Sequence, residues 1–87
     1  MGFEKTLARV LRGQGDANLS FSEITSLLVA LGFQERIKGS HHIFSRSGIV
    51  EILNLQPIGG KAKPYQVRQV RSMILKYRLA GGEDDPL

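Results

Sequence analysis

Residues 33–55 read FQERIKGSHHIFSRSGIVEILNL, and the fold turns on how this stretch is divided. Gly39-Ser40 and Ser47-Gly48 are turn pairs, and they cut it into three strand-like runs. In the first, Phe33–Lys38, Phe33 and Ile37 lie two strides apart, with Gln34, Arg36 and Lys38 on the other side. His41–Arg46 is the second run. Ile49–Leu55 is the third, rich in Ile, Val and Leu. Two short hairpins in series predict an antiparallel meander.

The flanks read as helices. Upstream, Phe21, Ile24, Leu27, Leu28 and Leu31 form one apolar face. Ser20 and Glu23 have the spacing of a capping box, with Ser22 as a rival cap. Gly32 stops that helix as a C′ glycine does. Downstream, Pro57, Gly59, Gly60 and Pro64 mark a loop that carries Lys61 and Lys63. Pro64 suits a first helical turn. Val67, Val70, Met73, Ile74 and Tyr77 then recur at helical spacing, and Gly81-Gly82 is the expected stop. In front of all this, Phe3, Leu7, Val10 and Leu11 predict a further short helix, ended by Gly13-Gln14-Gly15-Asp16.

The order from the second helix onward is α-β-β-β-α. A three-stranded antiparallel sheet with the helices on one face is the simplest way to bury both helical stripes. The expectation is therefore an α+β fold resembling the double-stranded-RNA-binding fold, plus an extra N-terminal helix. The organisation expected is a helical extension over residues 1–19, a functional domain over 20–81 and an acidic tail over 82–87.

Composition narrows the function. At 87 residues one ordinary domain is the ceiling, and a large enclosed substrate chamber is out of reach. No cysteine is present, which excludes disulfides, zinc ribbons and thiol nucleophiles. No apolar run approaches a membrane span, and residues 1–13 lack a long apolar signal core, so the expectation is a cytoplasmic protein without membrane contact. The net charge of +4 is uneven. Residues 36–78 hold nine cations against the single acid Glu51, a net +8, and the rest of the chain is net −4. A basic segment of that density is an electrostatic footprint for phosphates, although a solvated surface would look the same in sequence.

Within that segment lies Gly39-Ser40-His41-His42-Ile43-Phe44. Histidine both gives and takes a proton near neutral pH. The 2′-OH of RNA is a nucleophile already held beside its phosphate, so one histidine and some positive charge suffice to cleave it. Adjacent strand residues point to opposite faces, so the pair cannot easily share one metal, and neither a metal nor a cofactor is expected.

The helix, Leu31-Gly32-Phe33, the basic strand, the G-S-H-x-x-F core, the strand ending near Leu55-Gln56-Pro57 and the basic last helix resemble the HicA toxins, small mRNA interferases of toxin–antitoxin pairs. Lys61-Ala62-Lys63-Pro64-Tyr65 is similar to one branch of that family. The resemblance covers about residues 20–80. It implies a double-stranded-RNA-binding-like fold, endoribonuclease activity on mRNA, a catalytic strand histidine and neutralisation by a HicB antitoxin.

Strand parity and the family pattern favour the same histidine. His41 and Phe44 lie on opposite faces, so a buried Phe44 leaves His41 on the open face, with His42 at the sheet edge against the core. His41 is the expected acid/base and His42 the second candidate. Ile43 shares His41's face, and a bulge at Gly39-Ser40 would invert the assignment. Gly39 and Ser40 are expected to shape the turn. Arg36, Lys38, Arg46, Lys61, Lys63, Arg68 and Arg71 are the expected RNA contacts, the last two serving either RNA or an antitoxin. Tyr65 is a candidate base-stacking residue or a packing one. An RNA-binding module without catalysis is the alternative. A DNA-binding subunit ranks below both, because strands separate the helices.

Overall fold

A computed structural model describes residues 2–80. Helix α1 spans Gly2–Arg12 and is followed by a single 3₁₀ turn over Asp16–Asn18. Helix α2 spans Phe21–Ala30, strands β1, β2 and β3 span Gln34–Lys38, His41–Ser45 and Leu53–Leu55, and helix α3 spans Pro64–Lys76. The protein is α+β, and its one sheet is antiparallel in the order β1-β2-β3. The expected tail and the Gly81-Gly82 stop lie outside the described residues.

Local chemistry explains the element starts. Ser20 caps α2: its hydroxyl accepts from the Glu23 N–H at 3.0 Å, and the Glu23 carboxylate accepts from the Ser20 N–H at 2.9 Å. That backbone donor, helped by the Ser20 hydroxyl and by Arg9, holds the Glu23 carboxyl below its usual range against the opposing effect of burial. Pro64 opens α3, where its missing N–H costs nothing.

Two ends depart from expectation. The third strand is Leu53–Leu55 rather than Ile49–Leu55, and residues 46–52 form a connection instead of a tight second hairpin. The reason is the length of its partner. β2 ends at Ser45, and with Phe44 opposite Leu53 there is nothing left for residues 49–51 to pair with. Val50 and Ile52 therefore stand exposed. Helix α3 stops at Lys76, not at the glycines. Arg78 turns into the left-handed region with φ 55°, and the Leu79 N–H reaches back to the Ile74 carbonyl at 2.9 Å. This is the Schellman closure, made here without glycine.

One hydrophobic core joins all three helices to one face of the sheet. Leu7 and Val10 from α1, Leu19, Phe21, Ile24, Leu27 and Leu28 around α2, and Val67, Val70, Met73 and Ile74 from α3 enclose Phe44, Leu53 and Leu55. Phe44 is fully buried and sits at the centre of the strand layer. The N-terminal extension is thus part of the same core. Arg71 fastens it: the guanidinium donates to Asp16 through both nitrogens, at 3.1 and 3.2 Å, and to the Val10 carbonyl at 3.0 Å.

Candidate functional site

The G-S-H-x-x-F stretch forms the β1–β2 hairpin. Its register is unbroken, with Lys38 opposite His41, Ile37 opposite His42, Arg36 opposite Ile43 and Glu35 opposite Phe44. No bulge intervenes at Gly39-Ser40. Gly39 has φ 60°, and Ser40 is not among the positive-φ residues, as in a two-residue II′ turn.

Parity then places the two histidines on opposite faces. Phe44 is buried under the helices, and His42, two residues away, packs edge-on against Phe21 with ring centroids 4.8 Å apart. The His42 Nδ1 lies 2.7 Å from the Glu35 carboxylate, a neighbour on the same face. His41 points to the other, exposed face. There it shares the sheet surface with Gln34, Arg36 and Lys38 from β1, Ile43 from β2 and Asn54 from β3. The His41 Nδ1 is 2.9 Å from the Asn54 Oδ1.

Two residues absent from the sequence reading of the site belong to it. Asn54 is one. The signal was present, because a polar residue between two buried leucines, Leu53 and Leu55, must face the open side. The other is Gln56. Its side-chain amide donates to the Ser40 hydroxyl at 2.8 Å, which ties the hairpin turn to the end of β3. Gln56 is itself held by the backbone. The buried Gln66 amide of α3 donates to the Gln56 carbonyl at 3.2 Å and accepts from the Gln56 N–H at 3.1 Å. In this orientation the amide makes two bonds, where the reverse makes one long one, to the Lys63 N–H at 3.3 Å. Ser40 is therefore the far end of a relay that starts on the last helix.

The expected RNA contacts separate into groups. Arg36 and Lys38 share the face of His41. Lys61 and Lys63 lie on the connection into α3, which is fastened to the start of α2 by Ala62 N–H to Leu19 carbonyl at 3.1 Å and Phe21 N–H to Gly60 carbonyl at 2.9 Å. The Lys63 ammonium stands 5.8 Å from the centre of the exposed Tyr65 ring, within cation–π range. Arg68 lines a groove between α3 and the segment before β3, with Tyr65, Ile52 and Met73. Arg46 lies on the helix side instead, its guanidinium against Gly32 at the end of α2. Arg71 is engaged by Asp16 and Val10 inside the fold. Among the described residues no acid pairs with Arg36, Lys38, Lys61 or Arg68.

The single acid of the basic segment is neutralised in place. Glu51 accepts from Lys76 at 2.7 Å and from the Tyr77 hydroxyl, and these two bonds, the lysine's first, draw its carboxyl down to about 2. Among the described residues no helix is long and apolar enough to cross a membrane, and no group of three or more His, Cys, Asp or Glu residues could hold a metal ion.

Comparison with protein-family models, with curated proteins and with solved structures gives no match for this chain.

Proposed function

We propose that this chain is a metal-independent endoribonuclease of the HicA type, a toxin that cleaves mRNA in the cytoplasm and is held in check by a HicB-like antitoxin. We read the α2-β1-β2-β3-α3 order as a double-stranded-RNA-binding-like fold. The observation that carries the proposal is the position of His41, exposed on the open sheet face, directly opposite Lys38 and on the same side as Arg36. An imidazole there meets a single-stranded RNA without any chamber being required.

The chemistry follows from that position. His41 takes the proton of a 2′-OH as its oxygen forms a bond to the adjacent phosphorus. The bond from phosphorus to the 5′-oxygen breaks, and the imidazolium, or water, returns a proton to that leaving oxygen. The products are a 2′,3′-cyclic phosphate and a 5′-OH. Arg36 and Lys38 offset the negative charge that builds on the phosphoryl oxygens. Lys61, Lys63 and Arg68 bind flanking phosphates, and Tyr65 offers a face for a base. An acidic partner laid over the open sheet face would cover His41, Arg36 and Lys38 together.

The test uses purified, antitoxin-free protein on end-labelled mRNA with EDTA present. Cleavage is expected, and His41→Ala is expected to abolish it and to relieve growth inhibition without changing the fold seen by circular dichroism. Equal cleavage by wild type and His41→Ala removes His41 from the chemistry. Binding without cleavage at protein excess converts the protein into a non-catalytic RNA-binding module.

A further inference from the structure

His41 meets Asn54 through Nδ1, and the acceptor is a carboxamide oxygen. Such an oxygen only accepts, so the hydrogen of the neutral imidazole sits on Nδ1 and the lone pair is left on Nε2. We infer that Asn54 is a positioning residue, which fixes the tautomer and orientation of His41 so that Nε2 is the nitrogen presented to RNA. The inference rests on the cleavage reading of His41, and it adds which atom of the ring does the work and what selects it.

The sheet leaves little choice of acceptor. Asn54 pairs with Ile43 across β2 and β3, which makes it the diagonal neighbour of His41, within reach of a long side chain. Its backbone is held by the burial of Leu53 and Leu55 on either side. Lys38, directly opposite His41, can only donate. His42 faces away and has its own carboxylate, Glu35. The two histidines thus have different acceptors: a neutral amide on the open face, a carboxylate on the helix side. The amide orients the His41 ring through its single hydrogen bond on the open face.

The test compares wild type, Asn54→Ala and Asn54→Asp by nitrogen-15 NMR of the His41 ring at a pH where it is neutral. Wild type is expected to show hydrogen on Nδ1. Asn54→Ala is expected to move the tautomer ratio toward hydrogen on Nε2 by about five- to tenfold, the factor one net hydrogen bond supplies. Asn54→Asp keeps an acceptor oxygen in place and is expected to restore the wild-type tautomer. In the cleavage assay Asn54→Ala should lower kcat about tenfold with KM little changed, because the phosphate contacts remain. An unchanged His41 tautomer in Asn54→Ala overturns the inference. So does an equal loss of kcat in both substitutions despite a restored tautomer in Asn54→Asp. If wild type cleaves nothing, the cleavage reading fails, while the ring spectra still decide whether Asn54 sets the tautomer.

Discussion

Gly39 turns the chain between Lys38 and His41 with φ 60°, and a Cβ added there would touch nothing within 4 Å. Its requirement is one of backbone conformation rather than space. Gly39→Ala should therefore destabilise the protein by about 1–3 kcal/mol, the cost of a side chain at the positive φ of this turn position, and chemical denaturation will measure it. The loss should come with the hairpin intact, since Phe44 still anchors it. At this scale much was legible in advance. Period-two alternation across His41, His42 and Phe44 was enough to send one histidine out and the other in. The spacing of Ser20 and Glu23 marked a cap with Ser22 as its rival, and the hydrogen bonds settle it on Ser20. Arg78 could not be read in the same way. A positive φ at arginine is costly in isolation, and only the contacts of Tyr77 and Leu79 with the core make it the helix stop.

Between elements, the length of β2 decides what its neighbours can become. In the Ile49–Leu55 run only Leu53-Asn54-Leu55 alternates, and Ile49-Val50 and Ile52 before it are as apolar as a paired strand, so the sequence does not show where pairing begins. β2 accepts only Leu53, Asn54 and Leu55, so the preceding residues are held by side chains instead. Glu51 is the clearest of these ties, joining the connection to Lys76 and Tyr77 on α3. Its carboxyl is depressed from an ordinary 4.5 to about 2. A depressed carboxyl contributes stability that is whole above its unfolded value and fades as pH falls through the folded one. The wild-type midpoint of thermal unfolding should thus fall between pH 4.5 and pH 2. Glu51→Gln should remove that part of the acid dependence, and melting curves of both proteins across this range will show it. Identical acid profiles would mean that the carboxylate is not held.

Across the whole molecule the decisive contact is Arg71 with Asp16, joining residues far apart in the chain. No local pattern marks Arg71, which sits in the sequence among cations that look alike. Only the docking of α1 beside α3 distinguishes it. With guanidinium and carboxylate both largely shielded, removing one strands the other. Arg71→Ala should cost about 2 kcal/mol, the range for a hydrogen-bonded charge pair, with urea midpoints as the measurement. Arg68→Ala, three residues earlier on the same helix but exposed and without an acid partner among the described residues, should leave stability unchanged. The contrast matters for any basic protein read from sequence: nine cations in one segment divide here into a surface set and at least one that holds the fold together.

The relay from Gln66 through Gln56 to Ser40 has a consequence for the order of events when the chain is made. Synthesis runs from the N-terminus, so the hairpin with His41 and its partner Asn54 is complete before Gln66 has been added. A nascent chain that ends in the loop after β3 carries the histidine and its acceptor but not the amide that fastens the turn. The turn gains its tie to the last helix only when translation has passed α3 and that helix has docked, so the hydrogen bonds that fasten it are the last of the hairpin to form.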